Sequence, residues 1–158
     1  MNEMTKRVLD TFDQAILRML QKDNKMSQRM IAEAIGLSTP AVQRRVAQME
    51  ASGVILANTA VIDPSSVGQH VTAIVESRLR DDGSVVMDRA KRYFASVAEV
   101  QQCYFVSGGV SFIIVMVARD VAHFEKLVTQ HFADNEDIQT YRTLIVLDKV
   151  KVGLAFPI

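Results

Sequence analysis

The sequence predicts an α+β protein, with a helix-turn-helix domain first and a ferredoxin-like βαββαβ domain after it. Three observations favour this class. Apolar residues recur at helical spacing in the first third of the chain, strand and helix patterns alternate in the last two thirds, and turn residues separate the two regions. We therefore predict a helix-turn-helix domain over residues 1–53, a β-strand linker over 54–70 and a ferredoxin-like domain over 71–158.

Composition limits the classes of protein that remain. The 158 residues are 49% apolar and 23% charged, which is typical of a globular chain. Eighteen Lys and Arg balance eighteen Asp and Glu, so a polybasic coat protein is excluded while a local basic face is not. Cys103 is the single cysteine, and the longest apolar run, Phe112–Ala118, is too short to span a membrane. We expect a soluble cytoplasmic protein that has no disulfide and no membrane partner.

The first 53 residues contain three predicted helices. Leu9, Phe12 and Ile16 recur at helical spacing, so residues 9–22 form the first. The second begins at Ser27 and the third at Ser38, because a serine hydroxyl can accept from the free amides of a helix start. Glycines 36 and 53 end these two helices, since glycine adopts the left-handed conformation at little cost. The apolar face of the third helix consists of Val42, Val46 and Met49.

Residues 54–62 are rich in β-forming residues and lead into the turn Asp63-Pro64-Ser65-Ser66. Beyond them, alternating patterns predict strands over residues 71–79, 100–106, 112–118 and 139–150. Helices are predicted over residues 84–94 and after Asp120, and Gly108-Gly109 forms a hairpin turn. The order βαββαβ is the ferredoxin-like arrangement.

The segment Phe112–Ala118 has no alternation of apolar and polar residues, so we expect both of its faces to be buried. The helices of a βαββαβ unit cover only one face of its sheet. The other face then meets a second layer, most simply the same face of another copy. The alternative is a central strand whose exposed face is mildly apolar.

With its apolar residues inward, the third helix carries a different set of side chains outward: Thr39, Pro40, Gln43, Arg44 and Ala47. Arginine can bond both acceptors of a guanine edge, and glutamine can do the same at adenine. Ser38 and Thr39, at the helix start, suit a phosphate. This pattern favours binding of double-stranded DNA in the major groove. The alternative is an ordinary surface helix of a helical bundle.

Three further residues belong to this predicted site. Arg45 points more sideways than Arg44, and two roles remain open for it: contact with a phosphate, or pairing with Asp10 or Asp13 of the first helix. Ser27 and Arg29 lie on the flank of the preceding helix, where they could contact the DNA backbone, although a solvated charge explains Arg29 as well.

Five segments of the chain resemble the Lrp/AsnC (feast/famine) regulators. The resemblance is carried, in order, by Phe12-Asp13-x-x-Ile16-Leu17, Ile31-Ala32-x-x-Ile35-Gly36-Leu37-Ser38, Val42-Gln43-Arg44-Arg45-Val46-x-x-Met49-Glu50-x-x-Gly53-Val54-Ile55, Asp63-Pro64-x-x-x-Gly68 and Val146-Leu147-x-x-Val150-Lys151. It covers nearly the whole chain. It implies a winged-helix-like DNA-binding domain, an effector-binding ferredoxin-like domain, and dimers that pair through their sheets and assemble further into octamers. It also implies an effector, an amino acid or related metabolite, held between dimers.

The effector site implied by the resemblance departs from the family pattern. Members commonly carry G-x-x-D in the hairpin between the second and third strands, where Gly108 is followed here by Ser111. A hydroxyl offers no charge to an ammonium group, so we expect weak binding of common amino acids, a different ligand, or none. Thr143 aligns with a hydroxyl position that faces the family's pocket, and Tyr104 is a nearby candidate. Further candidates by topology are Val106, Asn135, Glu136 and Asp137, for which a structural or solvated role is the alternative.

No catalytic or metal site, and no cofactor, is expected. Cys103 lies in a strand, where its ordinary role is that of a small apolar side chain. His123 and His131 are eight residues apart, which is not the spacing of a paired metal site on a helix. The predicted function is a sequence-specific DNA-binding transcription regulator. The alternatives are an architectural DNA-binding protein without an effector, and a metabolite-binding oligomer whose helical domain contacts protein.

Overall fold

The computed structural model describes residues 8–158, which divide by their contacts into two compact units. The helical unit contains the residues up to Val61 together with 151–158, and the sheet unit contains Ile62–Val150. Residues 151–158 thus group with the helical unit, whereas the sequence placed them in the ferredoxin-like domain. Backbone atoms of Phe156 bond the side-chain amide of Gln21, in agreement with this grouping.

The helical unit consists of α1 (Thr11–Lys22), α2 (Gln28–Ile35) and α3 (Thr39–Ala51). Ser27 and Ser38 cap α2 and α3 through their side chains, as predicted, and Gly36 ends α2 with a φ of 70°. The core of this unit is formed by the fully buried residues Ile16, Ile31, Ala32, Val42 and Met49. Spacing of apolar residues and capping chemistry therefore located all three helices within one or two residues.

The predicted β-strand in the linker is wrong for the single chain described here: residues 54–70 contain no strand, and their one regular element is a short 3₁₀ helix at Pro64–Val67. Leu56 and Val61 are 90% and 99% exposed. A strand needs a neighbouring backbone edge to hydrogen-bond with, and β-propensity does not supply one.

The sheet unit contains four strands and two helices in the predicted order. They are β1 (Val71–Leu79), α4 (Ser84–Ser96), β2 (Val100–Phe105), β3 (Phe112–Ala118), α5 (Val121–Val128) and β4 (Ile138–Ile145), and α5 continues as a π-helix over Thr129–Ala133. The sheet is antiparallel with the order β2-β3-β1-β4, which is the ferredoxin-like topology. β4 ends five residues before the predicted end, because its only neighbour is β1 and the pairing runs out where β1 begins.

The two faces of the sheet differ. Phe112, Ile114, Met116 and Ala118 of β3 are buried in the core shared with α4 and α5, where Phe94 stacks on Phe132 at 5.4 Å between ring centroids. The other face, called the open face below, comprises Ile74 and Glu76 of β1, Ile113, Val115 and Val117 of β3, and Arg142 and Leu144 of β4. Its β3 residues are half-buried. The expectation that both faces of β3 are buried thus holds fully for one face and in part for the other within a single chain.

Candidate DNA-binding face and effector region

The outward side of α3 forms the candidate DNA-binding face. Thr39, Pro40, Gln43, Arg44 and Ala47 are all at least partly exposed, and we call this set the recognition face. On the opposite side of the same helix, Val42 and Met49 are completely buried. The helix therefore presents the side chains that the sequence pattern placed outward. A single face offers a planar guanidinium, a carboxamide and a hydroxyl, the groups that bond base edges and phosphates.

Ser27 and Ser38, both predicted DNA contacts, have visible structural roles at helix starts. The Ser27 hydroxyl accepts from the amide of Met30 at 3.2 Å, and the Ser38 hydroxyl accepts from the amide of Ala41 at 3.3 Å. Both serines are exposed. Their part in phosphate binding remains a prediction, and their part in capping is seen.

The arginines near the recognition face differ in their partners. Among the described residues, Arg44 is exposed and takes part in no ion pair. Arg29 pairs with Glu33 one helical turn away at 2.9 Å, with both side chains largely in solvent. Such an exposed pair contributes little stability, and its carboxylate reduces the positive potential on that flank. Arg44 is therefore the more available cation.

Arg45 takes the second of the two roles left open for it. Its Nη1 donates at 2.8 Å to Asp10 and at 2.8 Å to Asp13, and its guanidinium carbon lies 5.6 Å from the centroid of the Phe12 ring. Hydrogen bonds to Asp13 and then Asp10 raise the pKa of Arg45, while bonding to the amide of Asp13, and secondarily to Arg45, lowers the pKa of Asp10. Pairing with α1 is therefore observed for Arg45, and its contact with DNA stays a prediction.

The four candidate effector residues do not converge in one chain. Tyr104 lies on β2 and Thr143 on β4, which are the two opposite edges of the sheet. The register places Tyr104 beside Ile113 on the open face and Thr143 beside Val75 on the helix-covered face. No pocket of a single sheet unit can therefore be lined by both side chains.

Ser111 is buried and has a structural hydrogen bond. It is only 7% exposed, and its hydroxyl accepts from the amide of Leu79 at 3.0 Å. The backbone groups of Ser77 and Leu79 point to the β3 side of β1, and the Ser77 carbonyl accepts from the Ser111 amide at 2.8 Å. The Leu79 amide lies beyond the start of β3 and finds its partner in the Ser111 side chain. Gly108, in the same hairpin, has a φ of 146°, a conformation that favours glycine. Gly108 thus has the turn role that the sequence predicted, whereas Ser111 has a structural role that the sequence did not reveal.

The acidic turn 134–137 is also held internally. The guanidinium of Arg89 forms two bonds to the carboxylate of Asp137, one of them at 2.8 Å, and lowers the pKa of that carboxyl. Arg80 donates to the carbonyl oxygen of Glu136 at 3.2 Å. The sequence did not indicate either arginine as a partner of this turn, because both are far from it along the chain. Arg80 follows β1, and Arg89 lies in α4.

The remaining titratable groups form no further candidate centre. Cys103 is half-buried, and burial raises the pKa of its thiol. The Tyr93 hydroxyl is 2.8 Å from Nδ1 of the buried His131. Within residues 8–158 no three His, Cys, Asp or Glu side chains are grouped so that they could hold a metal ion, and no helix there is long and apolar enough to cross a membrane.

A trihelical unit with an exposed third helix, together with an antiparallel βαββαβ unit, defines a helix-turn-helix DNA-binding protein with a separate C-terminal domain. Comparison with known proteins specifies it further. Residues 9–55 match the family model described as winged helix-turn-helix DNA-binding, and residues 72–155 match the Lrp/AsnC ligand binding domain. The chain belongs to the Lrp/AsnC family and is a DNA-binding transcriptional regulator.

Individual relatives agree with this assignment over almost their whole length. An uncharacterized HTH-type transcriptional regulator of Sinorhizobium fredii is 35% identical over 95% of this chain and 89% of its own. The leucine-responsive regulatory protein of Rhizobium meliloti is 31% identical over 90% of this chain and 92% of its own. The crystal structure of an AsnC family transcriptional regulator from Agrobacterium tumefaciens superimposes with a TM-score of 0.87 at 28% identity, covering 94% and 97% of the two chains.

Proposed function

We propose that this regulator binds DNA through the recognition face of α3. Gln43 and Arg44 contact base edges, and Thr39 lies near the DNA phosphate backbone. The observation that carries the proposal is the exposure of this whole face on a helix whose other side is locked in the core. Arg44 supports it most directly, because an exposed guanidinium with no ion-pair partner among the described residues is available for a guanine edge. We expect the protein to act in the cytoplasm, in keeping with its DNA-binding family.

We further propose that the protein acts as a dimer joined through the open face of the sheet. Ile74, Ile113, Val115 and Val117 make this face apolar although no helix of the sheet unit covers it. A second copy buries it, and dimers can then assemble into octamers. A dimer also has two recognition faces, as required to bind two successive turns of DNA, which are about 34 Å apart. Several modest contacts acting together suit a chain with no net charge.

The test of DNA reading compares two arginine variants of the full chain. Arg44→Ala removes a proposed base contact, and Arg92→Ala removes an exposed arginine from α4 as the matched control. We expect Arg44→Ala to lower the affinity for a duplex selected from a random pool by about 1–3 kcal/mol and to relax the base preference, as measured by fluorescence anisotropy against a scrambled duplex. Equal behaviour of the two variants would contradict the assignment of Arg44.

The residues predicted to bind an effector are separated within one chain. Because Ser111 is buried and bonded to Leu79, and because Tyr104 and Thr143 lie on opposite faces, one chain does not assemble an amino acid site from these residues. We propose that any small-molecule site requires a second copy and that common α-amino acids bind weakly or not at all. Calorimetry of the protein against the twenty amino acids tests this, and tight binding of one of them would refute it.

An architectural role without an effector is the alternative function. The hydrogen bond between the Ser111 hydroxyl and the Leu79 amide favours it, because it occupies a predicted effector-binding group. The two functions differ in selectivity. A regulator of particular genes prefers a selected duplex strongly over a scrambled one at the same salt concentration, whereas an architectural protein binds both with similar affinity.

A further inference from the structure

Arg44 and Arg45 are neighbours in α3, yet their side chains have different surroundings. Successive residues of an α-helix point about 100° apart. Arg44 is exposed on the recognition face, whereas the Arg45 side chain is 21% exposed and lies on the flank of the buried side of the helix. The two adjacent cations therefore have different surroundings: Arg44 is exposed to solvent, and Arg45 faces the carboxylates at the start of α1.

Arg45 binds both carboxylates that start α1, and each carboxylate uses its two oxygens differently. Asp10 Oδ1 accepts from the amide of Asp13 at 2.8 Å, and Asp13 Oδ2 accepts from the amide of Asp10 at 3.4 Å, which forms a reciprocal cap. The remaining oxygens, Asp10 Oδ2 and Asp13 Oδ1, both accept from Arg45 Nη1 at 2.8 Å. One guanidinium group thus joins the first turn of α1 to the middle of α3. We call this arrangement the Arg45 clamp.

The clamp supplies an orientation that the apolar core does not. Val42 and Met49 pack α3 against the core along one stripe of the helix, and hydrophobic contacts of this kind are non-directional. Arg45 holds α3 from the side of that stripe. Asp13 is 1% exposed, so releasing Arg45 toward DNA would leave a buried carboxylate without this cation.

We infer that Arg45 is a positioning residue, which orients the recognition face through Asp10 and Asp13 and does not itself contact DNA. The inference rests on the proposed reading of DNA by α3. It explains why two consecutive arginines have separate roles: Arg44 provides the contact, and Arg45 sets the roll of the helix that carries it.

The experiment uses the full chain, a duplex selected by the wild-type protein from a random-sequence pool, and a scrambled duplex of the same length and composition. Affinities for both are measured between roughly 50 and 200 mM salt for Arg45→Gln, Asp13→Asn and the double variant. Asp10→Asn leaves the buried Asp13–Arg45 contact in place. It replaces Asp13→Asn in the experiment if that variant does not fold. Arg92→Gln, in the other unit, is the control for the loss of one exposed positive charge.

We expect Arg45→Gln and Asp13→Asn each to reduce the preference for the selected duplex by about tenfold, the effect of one impaired base contact. The double variant should be no worse than either single one, because both act through one clamp. The slope of affinity against salt should stay as in the wild type. Asp10→Asn should give a smaller loss of the same kind, and Arg92→Gln none.

A phosphate-contacting Arg45 gives the opposite pattern and would overturn the inference. Arg45→Gln would then lower the salt slope by about one, and Asp13→Asn would free the arginine and raise the affinity for both duplexes. Wild-type protein that does not distinguish the two duplexes refutes the proposed function itself. Preference retained in full by both clamp variants refutes the inference alone.

Discussion

At the scale of single residues, the structure assigns several polar side chains to the fold that the sequence had assigned to ligands. Ser111 is the clearest example. A serine in a hairpin, at a position where the family resemblance implies a carboxylate, is an effector candidate, but its hydroxyl accepts from a buried backbone amide. A buried amide without a partner is costly, so this bond accounts for a small acceptor at position 111 independently of any ligand.

Ser111→Ala is predicted to destabilise the sheet unit. The methyl group cannot accept from the amide of Leu79, which stays buried, so the free energy of unfolding should fall by about 1–3 kcal/mol. Urea denaturation followed by circular dichroism measures it. Ser107→Ala, an exposed serine of the same hairpin, is the control and should change the midpoint little. Equal midpoints for the two variants would argue against the Leu79 contact as a source of stability.

At the scale of elements, capping and apolar periodicity determine most of the helices, and the exception is instructive. The helix that begins at Asp120 continues past Val128 as a π-helix, in which His131 and Phe132 are buried. His131 then meets the Tyr93 hydroxyl of α4 at 2.8 Å. His131 is one helical turn from the buried Leu127, so it shares the inward face of this helix and forms a contact between two helices.

This contact makes stability depend on pH. Burial lowers the pKa of His131 below its usual 6.5, with Glu99 opposing the shift. The unfolded chain therefore binds a proton more readily than the folded one, and stability should be full above pH of about 6.5 and fall as the pH drops toward the folded pKa. Urea midpoints between roughly pH 7.5 and 5.5 should decline more for the wild type than for His131→Gln. His70→Gln, an exposed linker histidine, should follow the wild type. A wild-type decline that persists in His131→Gln would place its origin elsewhere.

At the scale of the whole molecule, the open face is the feature that one chain does not explain. Val115 lies at the centre of β3 on this face, between Ile74 of β1 and Gln102 of β2. Apolar residues of β1 and β3 lie on either side of it, and the polar side chains of this face include Gln102, which accepts from the Tyr104 hydroxyl at 2.9 Å, and the pair Glu76–Arg142 at 2.7 Å. The sheet and its helices already form two layers, and the apolar open face is suited to a further layer, which is proposed to come from another copy.

Val115→Arg is predicted to break the dimer and leave the fold intact. An unpaired charge buried in the interface should weaken self-association by two orders of magnitude or more, about 3 kcal/mol. Size-exclusion chromatography with light scattering measures the mass, and the far-ultraviolet spectrum reports the fold. Val85→Arg makes the same change on the exposed start of α4 and should keep the wild-type mass. A Val115→Arg protein of unchanged mass would exclude the open face as the interface.

Local chemistry along the chain by itself determined a large part of this protein. Serine caps, glycine stops and helical spacing located α1–α3, and runs of strand-forming residues between turns located β1 and β3 to the residue, because each of these signals acts between neighbours in sequence. The same spacing placed Gln43 and Arg44 outward on α3. The family resemblance carried by these segments was confirmed.

Tertiary structure alone decided the rest. Whether residues 54–62 form a strand and where β4 ends depend on a partner edge, and the partner of Arg45 or Ser111 depends on residues 32 positions or more away in the chain. The opposite faces of Tyr104 and Thr143 likewise follow from the strand order and register. Hydrogen bonds and ion pairs between distant segments require the chain to fold first, so no local pattern can specify them.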